Sequence, residues 1–271
     1  MQRNAVGAET GCTVGVVHIP GGILFFKNRD LERRHLVEKR VVFTSTRDFH
    51  ALQGINFETG EPEGVSIGVS KHKICVANTH VASTEDATYD LLCEELLRQA
   101  RDSNDVRRIV VGFMRRNAVQ GGRILVSSPD WTFLVEVYRK EFRIREIETD
   151  TVMTNSFTLI PADVQMPAVW KQSSGVRLDV AGRMMRDIRD VGGLEDMLRS
   201  HVPEKGELSI CNHRGDGGGT ESSHIIRIQG DNIAWSSVDG HPCENDYTTV
   251  RLELGNPERS EEENEHDRKS H

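Results

Sequence analysis

Cys12-Thr13-Val14-Gly15-Val16-Val17-His18-Ile19-Pro20-Gly21-Gly22-Ile23-Leu24-Phe25-Phe26-Lys27-Asn28-Arg29-Asp30 is the segment whose reading decides the fold. Thr13–Val17 is rich in β-branched residues and reads as a strand. Pro20-Gly21-Gly22 supplies a turn, and Ile23–Phe26 reads as the return strand of a hairpin. Such a hairpin brings Asp30, at the end of the second strand, back beside Cys12, at the start of the first.

That juxtaposition gives Cys12 a possible chemistry. A free cysteine is ordinarily a small buried hydrophobe. Here it follows Gly11 and a short polar leader. A Gly–Cys bond is sterically open to attack by the cysteine's own thiol on the preceding carbonyl. Rearrangement and hydrolysis would leave Cys12 with a free α-amine, which titrates at roughly pH 7.7–8. Such an amine is a suitable base for the thiol of the same residue. Asp30 would orient it; read without Cys12 opposite, Asp30 is equally a turn residue.

Beyond the hairpin the elements are mostly strands. Val41–Thr44, Gly64–Gly68 and Lys73–His80 read as β segments. Gly122–Val126 and Trp131–Val137 flank the turn Ser128-Pro129-Asp130, and Phe142–Ile147 adds another strand. Ala87–Arg101 has apolar residues at helical spacing. Arg108–Asn117 fits a helix, but Ile109-Val110-Val111 leaves a strand open. Val176–Leu198 reads as a helix broken near Gly192-Gly193. Ile225–Ile228 and Asn232–Val238 form a late hairpin, and Arg251–Leu254 closes the fold. Strands at both ends with helices between them predict an α+β protein with antiparallel sheet.

Composition excludes several classes. The net charge is −8 with 28% charged residues, whereas nucleic-acid binding requires a concentrated basic face. The short runs Arg33-Arg34 and Arg115-Arg116 read as solvated faces. No apolar run approaches a membrane span, and no export signal is visible. The odd count of five cysteines fits free thiols and a cytoplasmic setting. Residues 256–271 are almost wholly polar and are expected to form a disordered tail. The expected organisation is a leader over 1–11 that is removed, a single catalytic domain over 12–255, and that tail.

The order of several motifs carries a resemblance. Cys12-Thr13, Pro20-Gly21-Gly22 and Asn28-Arg29-Asp30 resemble the opening of the isopenicillin-N acyltransferase family. That family is similar to the choloylglycine hydrolases and acid ceramidase-like amidases, which are linear amide C–N hydrolases. The similarity continues through Val76-Ala77-Asn78-Thr79-His80, Thr154-Asn155-Ser156, Ser174 with Arg177, Ser209-Ile210-Cys211 and Gly240-His241-Pro242. Each motif is weak alone, and their order is specific.

The resemblance implies a four-layer αββα sandwich of the N-terminal-nucleophile hydrolase type. It implies Cys12 as nucleophile with its own α-amine as base, and Asp30 as the group that positions the amine. The side-chain amide of Asn155 and the backbone N–H of His80 would form the oxyanion hole. Without the family, Asn155 reads as a turn residue and His80 as a structural histidine. The reaction implied is hydrolysis of a linear amide without cofactor. Acyl transfer from a thioester to an amine is the alternative, and a non-catalytic binding module is a third reading. The partner implied is a small-molecule amide or acyl thioester, with no nucleic acid and no membrane; a homo-oligomer is compatible with the sequence.

Two departures stand out. The family places an arginine directly after Ser-Ile-Cys, where this chain has Asn212, His213 and then Arg214. Arg29 or Arg177 would have to supply the supporting cation. The leader is also far shorter than the propeptide of the fungal acyltransferases. Cys211, His213, His224, His241 and Cys243 invite a zinc reading. Their Cys-x-His and His-x-Cys spacings are not the usual ones, so no metal is expected. Gly215–Gly219 lacks the lysine and following helix of a phosphate loop and reads as a mobile loop near the site.

Overall fold

The computed structural model describes residues 11–31, 42–56, 61–161, 168–215 and 218–255. The leader before Gly11, Arg33-Arg34, Val41, two residues of the 215–219 loop and the polar tail lie outside the described residues.

Two antiparallel sheets form the centre. The first has six strands: β1 (Cys12–Ile19), β2 (Gly22–Leu31), β10 (Thr151–Met153), β11 (Gly219–Gln229), β12 (Asn232–Asp239) and β13 (Thr248–Leu252), in the order β10-β1-β2-β11-β12-β13. The second has seven in sequence order: β3 (Phe43–Ser45), β4 (Phe49–Ile55), β5 (Pro62–Ser70), β6 (Cys75–Ala82), β7 (Val119–Ser128), β8 (Trp131–Arg139) and β9 (Glu141–Ile147). Helices α1 (Asp90–Gln99) and α2 (Ser103–Arg116) cover the seven-stranded sheet, and α3 (Ala168–Met184) and α4 (Val191–Leu198) cover the six-stranded one.

Three apolar layers therefore separate four layers of backbone, and the central strands feed two of them at once. In β1 and β2, Val14, Val16, Ile23 and Phe25 pack between the sheets, while Val17, Leu24 and Phe26 pack beneath α3 and α4. In β6 and β7, Cys75, Ala77 and Leu125 face the other sheet, and Val76, Ile124 and Val126 face α1 and α2. Successive side chains of a strand point to opposite faces. A strand buried on both faces therefore reads as a continuous apolar run, as Ile23–Phe26 does. The expected αββα sandwich is what the chain forms.

The first hairpin has the anticipated form. Cys12 pairs with Arg29 and Ile19 with Gly22. Gly21 turns the chain at φ 76, a left-handed conformation that glycine adopts without Cβ strain. Arg116 is exposed and paired with Glu95, as a solvated face requires.

Several boundaries differ. Arg108–Asn117 belongs to a separate helix, α2, starting at Ser103. Asp102 caps it by accepting from the N–H groups of Asn104 and Asp105, each at 2.9 Å. Val106, Ile109, Val110 and Phe113 then fall on one buried face, so the β-branched run Ile109-Val110-Val111 is overridden by cap and period. The long helix over 176–198 starts earlier, at Ala168, and breaks before Gly192-Gly193. A 3-10 turn at Met185–Asp187 leads to an extended Ile188. Asp190 then caps α4 by accepting from Gly193 N at 2.9 Å, so the two glycines sit inside the first turn of α4. Lys73 lies in a turn at φ 60 and not in β6. The short strand expected at 41–44 falls at Phe43–Ser45, and the last at Thr248–Leu252 in place of 251–254. Strands β4 and β10 were not anticipated.

Candidate active site

Cys12 is the first residue of β1, in the interior of the six-stranded sheet, and is only 5% exposed. Its backbone N–H donates to Asn155 Oδ1 at 2.9 Å. Arg177, on the buried face of α3, donates to the Cys12 carbonyl at 2.8 Å, to Thr13 Oγ1 at 3.1 Å and to Asn155 Oδ1 at 2.9 Å. One guanidinium thus binds the strand that opens with Cys12 to the asparagine loop. Its planar fork suits several convergent acceptors better than an ammonium would.

Asp30 lies one position beyond Arg29, the register partner of Cys12, and so comes next to Gly11. Its Oδ1 accepts from Thr220 Oγ1 at 2.8 Å, and its buried Oδ2 has no hydrogen-bond partner among the described residues. A Cβ placed on Gly11 would stand 3.0 Å from that Oδ2 and 3.0 Å from Arg177 Nη2. Only a residue without a side chain fits easily between the carboxylate and the guanidinium. Burial pushes the Asp30 carboxyl up to about 6 against the opposing charge of Arg177. In this state the acceptor of the Cys12 N–H is therefore Asn155, with Asp30 flanking the Gly11 side of the bond.

Asn155 is fixed from several directions. Its Nδ2, which carries two N–H groups, donates to the His80 carbonyl at 2.7 Å. The preceding residue, Thr154, is held through its carbonyl by Thr79 Oγ1 and Arg123 Nη1, and through its hydroxyl by the Ser174 carbonyl. His80 sits near the end of β6, with its ring Nε2 3.0 Å from Ser83 Oγ. Arg29 is buried and forms an ion pair with Glu221 at 3.7 Å. Arg177 is accordingly the cation in direct contact with Cys12, and Arg29 lies alongside. Arg214, two positions beyond Asn212, lies within electrostatic reach of Asp30 and Arg177. The backbone N–H of Asn212 donates to Thr220 Oγ1 at 2.8 Å, which ties the Ser209–Asn212 segment to the partner of Asp30.

A small cavity of about 20 Å³ adjoins Cys12, room for about one water. Lys27, Arg29, Asp30, His80, Tyr89 and Asp90 are among its lining residues. Three of these did not emerge from the sequence reading. Lys27 donates to Ser66 Oγ at 2.7 Å and to the Asn78 carbonyl at 2.8 Å. Burial lowers its pKa, with Cys12 and Asp90 opposing. Asp90 opens α1 and accepts from Asn78 Nδ2 at 2.8 Å; burial pushes its carboxyl up to about 7 against the charge of Lys27. Tyr89 lies beside the His80 ring, with centroids 5.9 Å apart. One signal was present for Lys27: a lysine inside an otherwise apolar strand is rarely buried unless paired. Asp90 carries no such signal, because an acidic residue in a helix's first turn is ordinary.

The possible metal ligands divide. Cys211, His213 and Cys243 converge, and His201, absent from the sequence reading, joins them. His224 is fully buried elsewhere, accepting from Trp235 Nε1 at 3.3 Å. His241 stacks on His213 with ring centroids 3.9 Å apart.

The four layers are those of the N-terminal-nucleophile hydrolase fold. The chain is similar in structure to an N-acylethanolamine-hydrolyzing acid amidase ortholog from Caenorhabditis elegans, with a TM-score of 0.53 at 11% identity over 89% of this chain and 100% of that one. It is also similar to penicillin V acylase from Agrobacterium tumefaciens, with a TM-score of 0.51 at 8% identity over 90% and 86% of the two chains. No protein-family model matches the sequence, and no curated protein matches it. The likeness shows the fold.

Proposed function

We propose that this chain is an amidase whose nucleophile is Cys12, made N-terminal by cleavage of the Gly11–Cys12 bond. The observation that carries the reading is the environment of that bond. Gly11 is wedged between Asp30 Oδ2 and Arg177, while the Cys12 N–H is held by Asn155. In maturation the Cys12 thiol loses its proton to Asp30, and the sulfur attacks the Gly11 carbonyl carbon. The C–N bond breaks, nitrogen takes a proton, and a thioester results. Water hydrolyses the thioester, giving a Gly11 carboxylate and a free thiol and α-amine on Cys12.

In turnover the α-amine takes the thiol proton and the sulfur attacks the substrate's amide carbonyl. Arg177 and the Asn155 carbonyl hold Cys12 in position. An N–H of Asn155 Nδ2 and the His80 backbone N–H stabilise the oxyanion. The Cys12 ammonium, steadied by the Asp30 carboxylate, protonates the leaving amine. Water, deprotonated by the same α-amine, then releases the acid.

The neighbouring folds belong to proteins named for amide-bond hydrolysis, which supports hydrolysis over transfer of an acyl group from a thioester. The five cysteines are all free thiols, which supports a reducing, cytoplasmic setting. No helix among the described residues is long and apolar enough to cross a membrane.

The test is intact mass and N-terminal sequencing of wild type and Cys12→Ala, together with turnover of a panel of N-acyl amides. Wild type should begin at Cys12 and form an acyl adduct there, and Cys12→Ala should keep its leader. An active wild-type protein that retains residues 1–11 would contradict the proposal.

A further inference from the structure

Four side chains outside the Cys12 cavity meet where two loops cross. His201 follows α4, Cys211 and His213 lie on the approach to β11, and Cys243 follows β12. His213 Nε2 stands 3.2 Å from His201 Nε2, 3.5 Å from Cys211 Sγ and 3.2 Å from Cys243 Sγ. All four ligand atoms lie within 4.8 Å of one another.

These spacings have a chemical meaning. Zinc–nitrogen bonds of about 2.0–2.1 Å and zinc–sulfur bonds of about 2.3 Å put tetrahedral ligand atoms about 3.3 Å (N···N), 3.6 Å (N···S) and 3.8 Å (S···S) apart. The three measured separations lie within about 0.4 Å of those edges. Closing on an ion asks the widest pair to contract by at most about 1.2 Å.

We propose that His201, Cys211, His213 and Cys243 form a structural site for a thiophilic divalent cation of the zinc class. Binding is balanced by loss of one proton from each thiol, giving a neutral centre of two thiolates, two neutral imidazoles and one dication. Four protein ligands leave no open position, so the site is structural and not catalytic. The charge of Lys205 lies within reach of both cysteine sulfurs and is itself anchored by Glu244 at 3.1 Å. His241, stacked on His213, braces that ring.

The site fastens the loop after α4 to the loop after β12. That junction has few other ties: Arg199 Nε donates to the Pro242 carbonyl at 3.0 Å, and Lys205 pairs with Glu244. It also stands next to the nucleophile's surroundings. Cys211 adjoins Asn212, whose N–H reaches Asp30 through the Thr220 hydroxyl. A metal here would hold that short chain of bonds in register.

The unusual Cys-x-His spacing follows from the geometry. The ligands come from two loops 30 positions apart, brought together by the pairing of β11 with β12 and not by a single zinc-binding turn.

The experiment uses the untagged full chain, purified under a thiol reductant. Metal content is measured by elemental mass spectrometry, and the stripped chain is titrated with cobalt(II). The expected result is about one zinc-class ion per chain. Cobalt should give a thiolate-to-metal charge-transfer band and the intense visible bands of a tetrahedral centre. Both should vanish in the Cys211→Ser/Cys243→Ser double variant and persist in Cys12→Ala. His201→Asn alters a half-buried loop residue and tests the site if the double variant fails to fold; its affinity should fall about a hundredfold or more. A folded wild-type chain that retains no stoichiometric metal and gives no tetrahedral cobalt spectrum overturns the proposal. So does a Cys211–Cys243 disulfide in its place, or a cobalt spectrum that survives the double variant. None of these readouts depends on amide hydrolysis.

Discussion

Asn155 is the residue on which the hydrogen bonds around Cys12 converge. Its carbonyl oxygen receives the Cys12 N–H and Arg177, and its nitrogen faces the His80 carbonyl. Losing one oxyanion donor typically costs about 100- to 1000-fold in turnover, or roughly 3–4 kcal/mol. Asn155→Ala is therefore expected to lower kcat by that factor with KM nearly unchanged, since ground-state binding hardly uses the bond. Steady-state kinetics on an N-acyl amide checks it. A rise in KM alone would make Asn155 a substrate contact. Asp30 is a second single-residue case. Among the described residues its Oδ2 has no hydrogen-bond partner and its Oδ1 accepts from Thr220, so an amide fits the same space with its NH2 at Oδ2. Asp30→Asn should fold and keep its leader, as read by intact mass. Loss of folding would show instead that the carboxylate is structural.

At the scale of elements, the loop after β10 that carries Asn155 is secured by a buried carboxylate in β8. Glu136 accepts from the N–H groups of Thr158, Leu159 and Ile160 at 2.8, 2.8 and 3.0 Å, and from Arg123 Nε at 3.0 Å. Arg123 in turn holds the Thr154 carbonyl. Glu136 is thus a positioning residue that acts on Asn155 through its loop. Removing one partner of a buried ion pair costs about 3–5 kcal/mol, because the other charge stays buried. Glu136→Gln also turns an N–H toward donors. It should lose about that much in denaturant unfolding. It should also lower kcat more than an exposed control such as Glu141→Gln does. Equal kcat in the two variants would confine Glu136 to stability.

Across the whole molecule, two buried carboxyls give the fold a pH dependence of definite sign. Asp30 and Asp90 are pushed from 3.8 up to about 6 and about 7. Each holds its proton more tightly folded than unfolded. The stability each contributes is present below about pH 4 and lost as pH rises through its folded pKa. Lys27, lowered by burial, works in the opposite sense, so the difference between two proteins isolates the effect better than one curve. Between about pH 4 and pH 8, the stability of Asp30→Asn relative to the unprocessed Cys12→Ala background should improve by up to about 3 kcal/mol. Urea unfolding at a series of pH values, with Cys12→Ala in both proteins, reads it. A constant difference would mean that the Asp30 carboxyl titrates normally. The same titration bears on maturation: if Asp30 takes the thiol proton, cleavage should quicken as pH rises through about 6.

What the sequence by itself determined is what local pattern and chain order can encode. The turn Pro20-Gly21-Gly22 between two apolar runs specified the first hairpin, and with it the approach of Asp30 to the Gly11–Cys12 bond, because strand pairing follows from turn position. The four-layer architecture was legible only through the family resemblance that the order of the short motifs carries. What only the tertiary structure decided were contacts between segments distant in the chain. Arg177 was one of two candidate cations until α3 brought it onto the Cys12 carbonyl. Lys27 and Asp90 come together across two layers, and neither has neighbours in sequence that reveal the other. His201 joins Cys211, His213 and Cys243 because two loops meet at the end of the β11–β12 hairpin. Spacing along a chain records proximity only inside one element; between elements, packing of the apolar layers sets the distances.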